Sequence, residues 1–457
     1  MLSGKKCDRY ILIGIVAIFS ACHTKDRIPD KITFTEHIAP VLYSNCTICH
    51  RHGGNAHFAL VTYADARAYA SSIAYVVSQH LMPPWPADPS YTHFVGERLL
   101  SEHDIQLIQS WVKQGAQQGP TDRLPTLPAY PVGSTIGTPD MRIPVQPYFL
   151  KANSSDRFLL IKVPYELPHD TFAAVIEFMP GRHNVVHHVN GDMVKYQFDK
   201  KTNVFTGENV ADMVEDTTIL QAYRRMGLPN DDGSYPVLQK SVVNYLPGVF
   251  AQRYPDGIGG FMLPRKGAFL LNDLHYGYTS GNDVWDSSYI NIFFTRFPPD
   301  RPVQEFQLGT LGIAPVEPEL VIQPNTTKHV TSRFTVPTDI SILTVNPHMH
   351  LLGKAFKAYA LKPDKDTIRL IYIPRWDFNW QYFYTYRKMV KIPSGSTIVA
   401  EGDYDNTTNN PQNPFHPPQL VRERNGSMKA TDEMFQFIVT YLPYKDGDEN
   451  ISLETHK

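Results

Sequence analysis

The amino-acid sequence predicts a multidomain chain, with a small all-α domain followed by two all-β sandwiches of jelly-roll-like form. Three observations carry this prediction. At 457 residues the chain is too long for one core, and length favours roughly three domains. Apolar residues recur at helical spacing before residue 118 and as short strand-like runs after residue 150. The 37 prolines, 25 tyrosines and 24 phenylalanines suit β-rich domains with many turns. A net charge of -2 argues against a nucleic-acid partner.

Residues 1–22 read as a lipoprotein-type signal peptide. Lys5, Lys6 and Arg9 precede the apolar run Tyr10 to Phe19, about ten residues and too short to span a bilayer as a helix. The run ends in Phe19-Ser20-Ala21-Cys22, which resembles a bacterial lipobox with Phe19 in place of the usual Leu. The mature chain would then be exported to the periplasm or cell surface, held at the outer membrane by lipidated Cys22. Ordinary cleavage with a free Cys22 is the alternative. Cys7 leaves with the signal and Cys46 and Cys49 have another use, so no disulfide remains to hold the long region after residue 120.

Helical spacing of Phe34, Ile38, Val41 and Leu42 leads into Cys46-Thr47-Ile48-Cys49-His50. Two thiols three positions apart with a histidine beside them are what one covalent haem c needs, thioethers from Cys46 and Cys49 and an axial imidazole from His50. A CxxC redox or zinc site is the competing reading. Met82, in the stiff loop Met82-Pro83-Pro84-Trp85-Pro86, is the expected sixth ligand, with His80, His93, His52 and His57 as competitors. Ser101-Glu102-His103-Asp104 looks like a capping box opening a helix with Ile105, Ile108, Trp111 and Val112 on one side. In the order and spacing of these parts, residues 31–118 resemble a cytochrome c domain.

Residues 119–150 hold seven prolines and few apolar runs, the pattern of a semi-rigid linker. Beyond it come strand-like segments such as Phe158 to Val163, Ala173 to Phe178, Ser341 to Val345, Ser396 to Ala400 and Met434 to Val439. They divide into sandwiches over 151–305 and 306–457. The polar stretch 202–236 interrupts the first as an excursion with a short helix around Ile219 to Met226.

Five histidines fall in three clusters within this β region: His187-His188, His275, and His348-Met349-His350. On a strand, positions i and i+2 share a face, so His348 and His350 can point at one ion. His187 and His188 would face opposite ways on a regular strand, and joint ligation needs a bulge or a strand end. His183 could replace His188 only where the chain bends. Imidazoles suit copper, zinc, iron and nickel, and a thioether, for which Met434 is placed, tilts the choice to copper. Asp192, Asp273 and Glu433 lie near these residues in sequence, and one of them could orient an imidazole through its second nitrogen.

At these residues the chain resembles the copper type II monooxygenases, the family of peptidylglycine alpha-hydroxylating monooxygenase and dopamine beta-monooxygenase. The resemblance rests on the ordered set His187-His188, Leu274-His275-Tyr276-Gly277, His348-Met349-His350 and Asp432-Glu433-Met434, and spans about residues 140 to 445. It implies two coppers: an electron-transfer copper on His187, His188 and His275, and an oxygen-activating copper on His348, His350 and Met434. Asp405-Asn406 and the Asn-Pro-rich turn to Pro414 also resemble bacterial relatives, with no ligand assigned. Asn346 stands where the peptide-amidating member has an arginine for its substrate's carboxylate, and Gln436 and Ile438 replace an asparagine and a tyrosine. A peptide C-terminus is therefore not the expected substrate.

The resemblance implies an exported monooxygenase that uses O2 to hydroxylate a C-H bond of an organic substrate. Two electrons are needed per turnover, and the haem domain offers a fused donor that is itself reloaded by an external electron donor. The alternatives are a non-catalytic, surface-anchored electron carrier or copper-binding protein, and a cytochrome fused to a β-sandwich binding module.

Overall fold

The computed structural model describes residues 27–454 except 131, 155–156, 198, 213–217, 248, 250, 278, 280, 296 and 425–428. The signal peptide and Cys22 lie outside the described residues. The described structure is mostly β-sheet with few helices, and among the described residues no helix is long and apolar enough to cross a membrane.

Most of the helices gather between Phe34 and Lys113. A wide turn, Phe34–Ile38, runs into the helix Ala39–Asn45 and is capped by the Thr33 hydroxyl, which accepts from the Glu36 N–H. Two short helices, Tyr63–Ala68 and Ala70–Ser78, follow. Ser101 caps Glu102–Lys113 by accepting the Asp104 N–H at 3.1 Å, as the sequence predicts. That helix turns Ile105, Ile108 and Trp111 into one core with Ile32, Phe34, Ile38 and Leu42.

The segment between these helices does not stay with them. Trp85, Ala87 and Phe94 pack into the core of the second sandwich. The Val95 N–H donates to the Thr385 carbonyl at 2.7 Å, the Tyr382 hydroxyl donates to the Pro84 carbonyl at 2.9 Å, and the buried Phe94 ring sits 5.0 Å from Tyr384. Truncating a side chain this buried costs about 3–5 kcal/mol, so this arm fastens the helical region to the second sandwich.

The first sandwich faces a four-stranded sheet onto a five-stranded one, all antiparallel. Its strands begin at Met141–Pro144 and Tyr148–Leu150, inside the stretch read as linker. Proline is tolerated there because Met141–Pro144 is an edge strand, paired only with Tyr289–Phe294. The five-stranded sheet places Arg157–Glu166, Lys266–Tyr276 and Val186–Lys195 side by side at its centre. Its inner face supplies Leu159, Ile161, Val189 and Leu271 to the sandwich core, and its outer face supplies Leu160, Val194 and Leu270 to a second cluster beneath the excursion. Burial on both faces explains the unbroken apolar run. The excursion helix is Ile219–Arg225, and buried Lys162 fastens it by donating to the Thr206 and Met226 carbonyls, each at 2.5 Å.

The second sandwich pairs two four-stranded antiparallel sheets. One orders Gln304–Gly309, Phe435–Pro443, Ile340–Met349 and Tyr384–Ile392, and the other Thr327–Thr335, Thr397–Asp405, Gly353–Leu361 and Thr367–Ile373. The strand Ile340–Met349, which carries His348 near its end, and the strand that follows Met434 are thus neighbours.

Candidate metal centres

On the first sandwich, the strands Val186–Lys195 and Lys266–Tyr276 pair His188 with His275, and Val186 with Tyr276. One residue, His187, is left over between those pairs, which is the bulge that joint ligation requires. Both imidazoles then approach His275, at ring-centroid distances of 4.8 Å for His187 and 5.0 Å for His188. His275 stacks on Phe158 at 4.2 Å and 9°. Gly277 provides the room: a Cβ there would lie 2.3 Å from His187 Nε2.

Of the three nearby acids, Asp273 orients an imidazole. His188 Nε2–H donates to its carboxylate at 3.0 Å, which fixes the tautomer and leaves Nδ1 its lone pair. Burial alone would raise the Asp273 carboxyl, but His188, with His348 and His275 beyond it, holds it well below the usual carboxylate range. Asp192 is engaged elsewhere, accepting from Lys240 at 2.8 Å and from the Ser241 N–H at 3.1 Å. His183 belongs to another neighbourhood, where its carbonyl accepts from Asn55 at 3.4 Å.

On the second sandwich, His348 pairs with Gln436 near the end of its strand and His350 lies just beyond. Their i, i+2 spacing puts the rings on one side, 5.0 Å apart, while Met349 between them is buried in the core. His350 Nδ1–H donates to the Asp432 carbonyl at 3.0 Å, leaving Nε2 its lone pair. The Glu433 carboxyl group, which burial pushes up to about 8 against the pull of these bonds, accepts three backbone N–H groups, from His350 at 3.0 Å, Leu352 at 2.7 Å and Met434 at 3.3 Å. One side chain therefore clamps the His350 turn to the Met434 turn, and the Met434 carbonyl accepts from Tyr404 at 2.7 Å. Burial, then His350, pushes His348 down to about 3, and burial also lowers His350. Both imidazoles are neutral near pH 7, the form that binds a metal.

Sequence reasoning missed Phe378, whose ring lies 6.3 Å from His188 and 5.7 Å from His350. The aromatic turn Trp376-Asp377-Phe378-Asn379-Trp380 was its only signal. Gln381, beside His348, has a buried Oε1 without a hydrogen-bond partner. Asn346 donates to the Tyr382 carbonyl at 2.9 Å and Gln436 to the Thr310 carbonyl at 3.1 Å. Buried Asn406 ties three carbonyls, Ile322, Gln323 and Gln419, and so serves the fold.

Among the described residues no three His, Cys, Asp or Glu side chains already stand at ion-holding distances. The donor chemistry nevertheless fits copper: three imidazoles gathered at the first cluster, neutral His348 and His350 at the second, and a buried methionine clamped beside them.

In the helical region, the His50 N–H donates to the Cys46 carbonyl at 2.9 Å, so both thiols and the imidazole sit on one tight turn. His50 Nδ1–H donates to the Phe58 carbonyl at 3.2 Å, leaving Nε2 its lone pair. Burial pushes the Cys46 thiol up to about 12 and raises Cys49 as well. Two thiols and one imidazole on a single turn are the donor set that thioether attachment and axial ligation of haem would use. Met82 is half-buried at the start of the arm to the second sandwich. Asn55, in the loop after the motif, donates to the Tyr245 hydroxyl at 2.5 Å, and Tyr245 pairs across the sheet with Val189, the residue after His188.

Residues 309–449 match the family model of the copper type II ascorbate-dependent monooxygenase C-terminal domain. The matched segment contains His348, His350 and Met434. It carries the expectation of copper, O2 and an organic substrate, and of oxidoreductase activity. No curated protein matches the chain.

Proposed function

We propose that the chain is an exported, lipid-anchored monooxygenase that hydroxylates a C-H bond of an organic substrate with O2, using two coppers fed by an N-terminal cytochrome c domain. The observation that carries this reading is the clamp of Glu433 on His350 and Met434, within the segment that matches the copper monooxygenase family. When bound, copper supplies one-electron chemistry toward O2, and haem a one-electron store.

The chain's own groups prepare both centres. Asp432 and Asp273 hold the protons of His350 Nδ1 and His188 Nε2, so those rings need not reorganise when a metal arrives. Burial of His188, His275, His350 and Met434 excludes bulk water, which limits release of partly reduced oxygen species. Asn346, committed to the Tyr382 carbonyl, provides no cation for a substrate carboxylate. The Asn55–Tyr245 hydrogen bond supports a short path from the haem motif to the first histidine cluster.

The test supplies the copper-loaded, haem-bearing chain with ascorbate, 18O2 and a panel of compounds carrying benzylic, allylic or heteroatom-adjacent C-H bonds. Product with one 18O atom, lost in His350→Ala and Met434→Leu, is the expected result. Copper binding without substrate-coupled O2 uptake would favour a carrier.

A further inference from the structure

The arm that fastens the helical region to the second sandwich also joins two candidate metal ligands. Met82, the expected sixth ligand of the haem, is followed by Pro83 and Pro84, and the Pro84 carbonyl accepts the Tyr382 hydroxyl at 2.9 Å. Burial raises the Tyr382 hydroxyl, so it keeps its proton and remains a donor near pH 7. The carbonyl of the same residue accepts from Asn346 Nδ2 at 2.9 Å in a buried bond. Asn346 and His348 are i and i+2 on the strand Ile340–Met349, on one face and about 6.6 Å apart. Two hydrogen bonds and otherwise continuous covalent chain therefore link Met82 to His348. Neighbours fix Tyr382 in this position. The Trp85 ring lies 5.6 Å away, the Trp380 ring stacks on it at 6.2 Å and 11°, and the Asp88 N–H holds the arm to the Tyr372 carbonyl at 2.8 Å. The Asn55–Tyr245 hydrogen bond leads elsewhere, to the strand that carries His188.

We propose that the haem reloads the second cluster directly, through Tyr382 and Asn346, without a relay through the first. This rests on the haem and copper readings given above. One electron leaves haem Fe(II), which becomes Fe(III), and reduces Cu(II) at His348, His350 and Met434 to Cu(I). No proton moves in this step. An electron tunnels more readily along covalent and hydrogen bonds than across a gap of the same length, and burial of Tyr382 and Asn346 keeps water from competing for the two carbonyls. Two routes then serve two centres, Tyr245 the first and Tyr382 the second, and each delivers one of the two electrons that a hydroxylation requires. Asn346 and Tyr382 are positioning residues in this scheme, since neither is itself a metal ligand.

The test is anaerobic and uses no substrate. The copper-loaded, haem-bearing chain with His275→Ala, which should hold copper at the second cluster alone, receives one photogenerated electron at the haem. Decay of the reduced-haem absorbance is followed together with loss of the Cu(II) paramagnetic signal. The expected result is haem reoxidation matched by that loss, slowed several-fold by Tyr382→Phe and by Asn346→Ala with iron and copper contents unchanged. Tyr384→Phe, which removes a neighbouring buried hydroxyl without a hydrogen-bond partner among the described residues, should leave the rate as it was. Haem that stays reduced while the second cluster holds Cu(II) would overturn the direct route and leave both metal readings intact. An unchanged rate in Tyr382→Phe and Asn346→Ala, or equal slowing in Tyr384→Phe, would overturn the path through these residues. A chain that retains no iron or no copper would overturn the proposal together with the reading beneath it.

Discussion

Glu433 Oε2 accepts the backbone N–H of His350 at 3.0 Å across 83 residues of chain. That bond positions two ligands without touching either side chain. Glu433→Gln keeps the shape but turns an amide N–H toward donors, leaving at least one buried N–H unpaired. A loss of about 1–3 kcal/mol is expected in urea unfolding, with copper lost from the second cluster and kept at the first. Unchanged copper content would show that the clamp serves stability alone.

Gly277→Ala places a methyl group where the His187 ring lies. Overpacking of this kind costs about 1–3 kcal/mol. The variant should retain one copper, at His348, His350 and Met434. Retention of both coppers would remove His187 from the ligand set.

Tyr245→Phe removes the hydroxyl that accepts from Asn55 and leaves the ring on Phe178, 5.6 Å away. In stopped-flow measurements, haem reoxidation by the copper-loaded chain should slow several-fold with copper and iron contents unchanged. A rate equal to that of the unmodified chain would exclude this path.

Asp448 gives a pH dependence remote from both centres. Burial would raise its carboxyl, but hydrogen bonds from Arg301, Ser341 and the Lys445 N–H hold it at about 2, below the ordinary 3.8. A depressed folded value means that the unfolded chain binds more protons in this interval. The contribution is therefore complete above about pH 4 and lost as pH falls toward 2, about 2 kcal/mol in all. Asp448→Asn should flatten that part of the stability profile, measured by urea midpoints across the acid range.

Much of this was legible in residue types and spacing. His348 and His350 share a side because the strand period is two, and joint ligation by adjacent His187 and His188 required a bulge or a strand end, of which the structure has a bulge at that position. The capped helix at Ser101 and the excursion helix at Ile219 followed equally local rules. The fate of Trp85 to Phe94 did not, since a proline-rich arm reads the same whether it folds onto its own helices or into another domain's core. Met141–Pro144 read as linker because Pro144 and the prolines around it hide an edge strand. Asp273, Asp192 and Glu433 looked alike in sequence, and only the cross-strand register separates an imidazole partner, a lysine partner and a backbone clamp. Phe378 touches both sandwiches through contacts between distant segments, which no local pattern encodes.

The most direct test of the central claim is metal content. The chain is expressed from Thr24 in an exporting, haem-maturing host, loaded with copper, dialysed, and assayed for copper and iron per polypeptide. The account predicts two coppers and one iron, with copper falling to about one in His350→Ala or Met434→Leu. One iron with no retained copper would contradict it.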